Sequence, residues 1–222
     1  MIDIIAIDGP AGSGKSTVAK LLARKIGYAY IDTGAMYRAL TLKAMRNCLD
    51  LNDEEEIAGL FMDTDIDIVP DDSGGISVML DNEDVTSLIR TPELTDKVAY
   101  IAKVAAVRQR MKDIQRNIGA RQKAVFEGRD ITTAVFPESK FKFYIDADFN
   151  ERAARRHREL VSKGIDISLE DVGKDLKIRD HKDMTRRIGP LKIAKGAVVI
   201  DTTHMTIDEV VERLRKYVSR AL

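Results

Sequence analysis

The sequence contains one cysteine and no tryptophan, and it has no long run of apolar residues. A single cysteine, Cys48, cannot form a disulfide within the chain, and its apolar neighbours predict that it packs inside the protein. No window reaches the length of a membrane-spanning helix. The N-terminus carries Asp3 and Asp8 around a short apolar stretch, unlike the basic start of a signal peptide. These absences predict a cytoplasmic protein with no membrane partner.

The sequence also lacks an excess of charge of either sign, because 36 lysines and arginines balance 36 aspartates and glutamates. A neutral chain has no overall field that attracts DNA, RNA or anionic lipid. We therefore expect small-molecule partners, no nucleic acid and a monomer. Apolar residues make up 44% of the 222 positions, which is enough for a substantial core and excludes general disorder.

What the sequence does contain is a glycine-rich segment near the N-terminus, GPAGSGKST at residues 9–17. Its spacing matches the phosphate-loop pattern G-x-x-x-x-G-K-[ST] at every fixed position. A β-branched apolar run at residues 2–7 precedes it, and a helical period at residues 17–26 follows. The segment therefore predicts a loop between a strand and a helix that binds a nucleoside triphosphate. A glycine-rich turn that binds nothing is the alternative.

The pattern also assigns tasks within this loop. Small residues allow backbone N–H groups to approach phosphate closely, and Lys15 reaches the β- and γ-phosphates. The Ser16 hydroxyl is expected to bind Mg²⁺. The full predicted nucleotide-binding set is Gly9, Pro10, Ala11, Gly12, Ser13, Gly14, Lys15, Ser16 and Thr17.

Strand-like and helix-like segments alternate along the rest of the chain. The predicted strands are residues 2–7, 28–31, 124–128, 141–147 and 197–201, and the main predicted helices are residues 17–26, 34–48, 150–163 and 206–220. Strands that alternate with helices form parallel sheets. We therefore expect an α/β fold with a doubly wound, five-stranded parallel sheet whose ligands lie at the carboxyl ends of the strands.

Residues 65–85 interrupt this alternation. Polar and apolar residues alternate there on both sides of a turn-like stretch at residues 71–75, which predicts a hairpin. We expect residues 65–91 to form a small β-containing insertion that stands off a core of residues 1–64 and 92–222. A long helix is predicted at residues 92–118. An edge ornament that only covers apolar surface is the alternative interpretation of the insertion.

Basic side chains gather in two segments. Residues 178–191 read IRDHKDMTRRIGPL, with few apolar anchors, and predict a mobile lid that becomes ordered over a polyanion. On a predicted helix, Arg152, Arg155 and Arg156 share one face. Either cluster alone fits a solvated surface equally well. Together with the phosphate loop they favour phosphoryl transfer, in which guanidinium groups clamp developing charge.

Further candidates follow predicted strands. Arg38 and Arg129 are suited to holding a second phosphate across the crevice. Asp130 can accept from the exocyclic amine of cytosine, whereas uracil would leave this carboxylate unpaired; an ordinary salt bridge is the alternative. Asp32 either orients a Mg²⁺-bound water or, with Thr33, caps the next helix.

Five segments, DGPAGSGKST, DTGAMYR, IRTPE, EGRD and RDHKDMTRRIGPL, resemble the bacterial cytidylate kinase family in order and spacing over nearly the whole chain. The resemblance implies a nucleoside monophosphate kinase fold in which residues 65–91 bind the monophosphate. It implies transfer of a phosphoryl group from ATP, with Mg²⁺, to CMP or dCMP. A kinase of another small acceptor, such as UMP or a carboxylated metabolite, and a non-catalytic nucleotide switch are the alternatives. The guanine-selecting N-K-x-D of many switches is absent.

The resemblance also implies roles for single residues. Thr33 and Arg38 would meet the acceptor nucleotide, Arg108 and Asp130 the cytosine, Arg129 the α-phosphate, Arg179 and Asp183 the ribose, and Arg186 the acceptor's phosphate or base. The expected catalytic residues are Lys15, Arg129, Arg155 and Arg186. Two positions depart from the family pattern: Ala99 stands where a serine is common, and Thr132 in GRDITT stands where glycine is usual. Ala99 puts the preference between CMP and dCMP in doubt, and Thr132 requires an altered backbone if the glycine has a positive φ.

Overall fold

The structure is a computed structural model that describes residues 3–70 and 75–219. Its strands are β1 Ile4–Asp8, β2 Ala29–Asp32, β3 Ile66–Pro70, β4 Ile76–Leu80, β5 Glu83–Asp84, β6 Ala124–Gly128, β7 Phe141–Asp146 and β8 Val198–Asp201. Its α-helices are α1 Lys15–Ile26, α2 Thr33–Arg46, α3 Glu54–Met62, α4 Pro92–Ala102, α5 Ala105–Gly119, α6 Phe149–Ser162, α7 Leu169–Thr185 and α8 Ile207–Ser219. A short 3₁₀ helix covers Leu88–Arg90, and a π-helical turn covers Ile131–Val135.

A five-stranded sheet in the order β2-β6-β1-β7-β8 organises the chain, and every neighbouring pair in it is parallel. Helices cover both faces, so β1 and β6 are buried along their whole length. On one face Ile5, Ile7 and Phe143 pack with α1 and α8; on the other Ala6 and Phe126 pack with α2 and α5. The predicted doubly wound α/β fold is confirmed, with strand ends that differ by one or two residues.

The carboxyl ends of the strands define one edge of this sheet. In register, Asp8 of β1 lies beside Gly128 of β6 and Tyr144 of β7, and Asp32 of β2 lies beside Glu127. Because β1 leads directly into the phosphate loop, the chemistry-bearing segments of the sequence meet at this edge. Within the described residues, no helix is long and apolar enough to cross a membrane.

The predicted hairpin at residues 65–85 is part of a three-stranded antiparallel sheet, β3-β4-β5. Of the predicted turn at residues 71–75, residues 71–74 lie outside the described residues. The alternating side chains Ile66, Ile68 and Val78 are buried in the same apolar cluster as Leu40 of α2. The strands of the small sheet therefore pair with one another and not with the large sheet, but the small sheet packs against α2, a helix of the core. We had expected this insertion to project away from the core.

The long helix predicted at residues 92–118 is wrong: it is two helices, α4 and α5. Val104 is extended, with φ −69° and ψ 122°, and it is buried, so packing overrides a sequence that contains no glycine or proline at the break. The break leaves the carbonyl of Ala102 without a helical partner, and Arg108 Nη1 donates to it at 3.2 Å.

One smaller expectation also needs correction. Cys48 is exposed because α2 ends at Arg46 and the cysteine has a left-handed backbone, φ 54°. The segment predicted to be a lid, residues 178–191, begins within α7, and only its residues after Thr185 leave the helix. The helix is anchored by buried Val172 and Leu176, which precede the segment considered in the sequence.

Candidate functional site

The phosphate loop joins β1 to α1 in the strained backbone that glycine permits. Gly12 and Gly14 have φ of 75° and 86°. A Cβ on Gly12 would lie 2.7 Å from the carbonyl oxygen of Arg152, so even an alanine does not fit. Lys15 Nζ donates to the carbonyl oxygen of Pro10 at 3.1 Å, and Ser13 Oγ donates to the same oxygen at 3.0 Å. These two hydrogen bonds tie the end of the loop to its start, and the Lys15 side chain is buried against it.

The first turn of α1 is open for an anion. Its N-cap is Gly14, which supplies no side-chain acceptor, and the first turn carries no acidic residue. The N–H groups at this end therefore lack a side-chain cap, and Ser16 and Thr17 in the same turn are exposed. This arrangement has the features of a phosphate-binding helix start.

Two arginines of α6, Arg152 and Arg155, hold the phosphate loop through hydrogen bonds, Arg152 directly and Arg155 through Thr202. Arg152 Nη1 donates to the carbonyl of Ala11 at 3.1 Å and to Asp180 Oδ2 on α7 at 2.6 Å. Arg155 donates to the Thr202 hydroxyl at 3.0 Å and carbonyl at 2.7 Å, and that hydroxyl donates to the carbonyl of Ser13 at 3.2 Å. Both side chains therefore support the loop.

The expectation that Arg155 is catalytic is not supported by its position. Its guanidinium nitrogens are engaged by Thr202 and by Glu151, and it does not line the cleft. Arg156, the next residue, does line the cleft, where it pairs with Glu159 at 2.8 Å. The two arginines lie about 100° apart around the helix, so the sequence could identify the face but not which side chain enters the site.

A cleft of about 1420 Å³ opens at the carboxyl ends of the strands. It is larger than the roughly 300–1,000 Å³ typical of a pocket for one small ligand, so its volume does not limit it to a single small ligand. The predicted site residues that line it are Ala11, Gly12, Lys15, Ser16, Thr17, Asp32, Thr33, Arg38, Arg108, Arg129, Asp130, Arg179, Asp183 and Arg186. Gly9, Pro10, Ser13 and Gly14 shape the loop without lining the cleft.

Three neighbouring cationic side chains, Lys15, Arg129 and Arg179, line the cleft. Burial and the nearby Arg129 lower the pKa of Lys15 to about 7. Burial and the same arginine lower the pKa of Arg179 to about 10. Arg179 makes no hydrogen bond or ion pair with any residue that the structure describes, whereas Arg129 donates to Asp183 Oδ2 at 2.7 Å. Cations that destabilise one another in this way are suited to a polyanionic ligand.

A buried ion pair lines part of the cleft. Arg108 Nη2 donates to Asp130 Oδ2, and Arg186 Nη2 lies 3.6 Å from Asp130 Oδ1. The guanidinium of Arg108 also lies over the ring of Tyr37, 5.6 Å from its centroid. Asp130 is therefore in a salt bridge, as one interpretation expected, but the salt bridge itself lines the cleft. The lone pairs of Asp130 that Arg108 does not use can accept hydrogen bonds from a ligand.

The turn after α7 covers this pair. Gly189 has φ 58°, and a Cβ on it would lie 2.2 Å from Asp130 Oδ2 and 2.4 Å from Arg108 Nη2. Arg186 Nε donates to the carbonyl of Gly189 at 2.5 Å, and the N–H of Leu191 donates to the carbonyl of Asp183 at 2.8 Å. Only glycine fits this approach.

Of the two tasks considered for it, Asp32 performs the helix cap and also pairs with Arg38. Its Oδ1 accepts from the N–H of Ala35 at 3.0 Å, which caps α2, and its Oδ2 accepts from Arg38 at 2.8 Å. Burial would raise the pKa of Asp32, but Arg38 and the cap hold it below its usual value. Thr33 donates to the carbonyl of Glu127 at 2.7 Å, which fixes the start of α2 against β6.

Several cleft residues were not assigned from the sequence, among them Tyr30, Arg90 and Glu127. Tyr30 donates to Glu127 Oε1 at 2.9 Å, and the negative charge of Glu127 favours protonated Lys15. Arg90 lies in the segment IRTPE and Glu127 in the segment EGRD, two of the segments that resemble the family. Their position in these segments was the one indication in the sequence that they belong to the site.

Comparison with known proteins decides the family. The family model described as Cytidylate kinase matches residues 5–220 of the chain. The chain belongs to the cytidylate kinase family.

Relatives named cytidylate kinase agree with this assignment. One from Carboxydothermus hydrogenoformans is 47% identical over 216 residues, covering 97% of both proteins. Another from Pediococcus pentosaceus is 46% identical over 217 residues, covering 98% of this chain and 96% of that relative. The solved structure of an uncharacterized protein from Eubacterium ventriosum has a TM-score of 0.55 over 98% of both chains, at 13% identity, which shows a shared fold alone.

The structure also places the two positions that depart from the cytidylate kinase pattern. Ala99 does not line the cleft, although Val98 and Ala102 on the same helix do. Thr132 is buried and has no positive φ, so threonine occupies this position without a left-handed backbone. Its hydroxyl instead donates to Asp8 Oδ2 at 2.5 Å.

Proposed function

We propose that the chain transfers the γ-phosphoryl group of MgATP to CMP or dCMP, giving ADP and CDP or dCDP. One observation carries this proposal. A single cleft is lined both by the phosphate loop and by the buried Arg108 and Asp130 pair, and also by Arg129 and Arg179, whose charges act on Lys15. Such a cleft suits two nucleotides whose phosphates meet in the middle.

At the donor end, the loop and the start of α1 hold the phosphates of ATP. The positive-φ glycines Gly12 and Gly14 leave the space that phosphate oxygens need. Lys15 extends along the loop, and a bound polyanion would restore the full positive charge that burial now disfavours.

The oxygen ligands at this end fit Mg²⁺. Ser16 is exposed in the cleft, Asp32 faces it with an ionised carboxylate, and the described residues contain no cluster of three or more acidic, histidine or cysteine side chains that would form a complete metal cage. Mg²⁺ commonly binds one or two protein oxygens, substrate phosphates and water. Bound there with ATP, Mg²⁺ would neutralise phosphate charge; Ser16 would ligate it directly and Asp32 through water.

At the acceptor end, Asp130 accepts a hydrogen bond from the exocyclic amine of cytosine. Arg108 donates to the ring nitrogen and carbonyl oxygen on the same edge of the base. Uracil presents a carbonyl where cytosine has the amine, so Asp130 would face another acceptor and lose a partner in a buried position. This difference gives the proposed selectivity for cytidine nucleotides.

Between the two nucleotides, the cations align the reactants and offset charge. Arg129 and Arg186 are assigned to the acceptor phosphate, Arg179 and Asp183 to its ribose, and Thr33 and Arg38 to the same nucleotide. The acceptor phosphate is already anionic near neutral pH, so it attacks the γ-phosphorus in line without a general base. Lys15 and the arginines then stabilise the transition state, and no covalent intermediate with the protein is required.

The division into moving parts is also part of the proposal. Residues 65–91 would act as the monophosphate-binding insertion, and residues 178–191 as a lid that excludes water from the reaction. Residues 1–64 and 92–222 would form the kinase core. Cytoplasmic location, a monomeric state and the lack of nucleic-acid partners stay predictions from the sequence.

An acceptor panel tests the function. Steady-state assays with MgATP compare CMP, dCMP, UMP and shikimate in parallel, with labelled γ-phosphate to identify the product. We expect CMP and dCMP to have the highest kcat/KM, and their ratio gives the sugar preference. A higher kcat/KM for UMP would contradict the base assignment. A preference for shikimate would support a different small-molecule kinase, and slow hydrolysis that no acceptor stimulates would support a switch.

A further inference from the structure

One buried carboxylate outside the cleft connects the two halves of the site. Asp8 is the last residue of β1, directly before Gly9 of the phosphate loop, and its side chain has no exposed surface. It accepts hydrogen bonds from the N–H groups of Ile131 at 2.9 Å and Thr132 at 2.7 Å, and from the Thr132 hydroxyl at 2.5 Å. It does not line the cleft.

These donors begin the π-helical turn that follows the acceptor-binding residues Arg129 and Asp130. The first N–H groups of a helical turn are ordinarily capped by the side chain of the residue before it. Asp130 holds that position but caps nothing, because its carboxylate faces Arg108. Asp8 receives these N–H groups in its place, which leaves Asp130 available for the ligand.

We propose that Asp8 and Thr132 are positioning residues that fix Arg129 and Asp130 relative to the root of the phosphate loop. The inference rests on the proposed function, since it concerns how the acceptor meets the donor. The Thr132 hydroxyl supplies a bond that glycine, the residue usual in the family pattern, cannot make. The bridge holds the turn at the spacing that in-line transfer requires.

The surroundings of Asp8 make the bridge sensitive to charge. Burial raises the pKa of Asp8 to about 6, while the bonds from Thr132 and Ile131 favour the ionised form. Asp130 on the same turn adds like charge, and Tyr144 faces Asp8 from β7. Protonation removes charge from the acceptor of three hydrogen bonds, so the turn is held less firmly at acid pH.

Thr132→Val tests the bridge, because it removes the hydroxyl at nearly constant volume. The matched control is Thr133→Val in the same turn, since the buried Thr133 hydroxyl makes no hydrogen bond with any described residue. We expect Thr132→Val to lower kcat/KM for CMP by about 3- to 10-fold, with an unchanged Kd for a fluorescent ATP analogue. Thr132→Ser should restore kcat/KM, and Thr133→Val should leave it unchanged.

Three results would overturn the proposal: equal effects of the two valine variants, no rescue by serine, or a parallel loss of ATP affinity in Thr132→Val. Asp8→Asn adds a pH readout. The CMP phosphate also titrates near pH 6, so the wild type and Asp8→Asn are compared at each pH. The kcat/KM of the wild type divided by that of Asp8→Asn should fall toward 1 as the pH is lowered. A quotient that does not change with pH would contradict the role of the Asp8 charge.

Failure of the proposed function is distinguishable from failure of this inference. If the wild type does not phosphorylate CMP, the function is refuted. Amide hydrogen exchange in residues 129–135 still tests the bridge, since Thr132→Val should speed exchange there and Thr133→Val should not. Equal exchange in both variants would refute the bridge by itself.

Discussion

Replacement of Asp130 by asparagine gives the sharpest test of base recognition. The change keeps the size of the side chain but removes its charge and turns one acceptor into a donor. Asp130 now accepts from Arg108 and lies 3.6 Å from Arg186, and it is only 7% exposed. The carboxamide can use its one oxygen either for Arg108 or for the cytosine amine, and its NH₂ group then faces a donor.

The expected loss follows from the worth of a hydrogen bond to a charged group, about 1.5–3 kcal/mol in a buried site. At about 1.4 kcal/mol for each factor of ten, kcat/KM for CMP should fall by about 10- to 150-fold. UMP should lose much less, because the new NH₂ group can donate to the uracil carbonyl. The kcat/KM for CMP divided by the kcat/KM for UMP should therefore be smaller in Asp130→Asn than in the wild type, while the affinity for MgATP stays the same.

The assay is steady-state transfer to CMP and UMP at saturating MgATP, with the ATP Kd measured separately. Asp113→Asn, on the exposed face of α5, is the matched control for the loss of one carboxylate and should behave as the wild type. An equal fall in ATP affinity would mean that Asp130 is structural. A lower activity with an unchanged CMP to UMP ratio would refute its contact with the base.

Three further outcomes are expected. Because burial and then Arg129 lower the pKa of Lys15 to about 7, ATP binding should take up a proton near pH 8 and weaken as pH rises above 7; calorimetry in buffers of different ionisation enthalpy checks this, and Lys15→Met should abolish the uptake. Gly189→Ala should raise the KM for CMP by about 5- to 30-fold through its φ of 58° and its overlap with the ion pair, and an unchanged KM would mean that the turn does not cover the bound base. Arg156→Met should lower kcat/KM without changing Tm, whereas Arg155→Met should lower Tm; the opposite pattern would restore Arg155 as catalytic.

Local chemistry explains which features could be predicted from the sequence. The phosphate loop needs glycines at fixed spacing for reasons that operate within a few residues, so Gly12, Gly14 and Lys15 occur where the pattern requires. The strands of the large sheet are apolar because both of their faces are covered, and that composition identifies them without knowledge of their neighbours.

The features that sequence missed depend on contacts between distant segments. Val104 breaks a helix because packing favours its extended backbone, and no neighbouring glycine or proline indicates the break in the sequence. Arg155 and Arg156 have the same chemistry on the same helix, and only the location of Thr202 distinguishes the supporting side chain from the one in the cleft. The bond between Asp8 and Thr132 spans 124 positions, so neither residue indicates its partner.

The ion pair of Arg152 with Asp180 has a consequence for cooperation between the two nucleotides. One guanidinium touches both the donor loop, at Ala11, and α7, the helix that carries Arg179 and Asp183. Because the pair is buried, α7 cannot shift far without either carrying this arginine along or leaving a charge unpaired. If α7 moves when one nucleotide binds, this contact would carry the movement to the other site, and any resulting change in affinity would be equal in both directions.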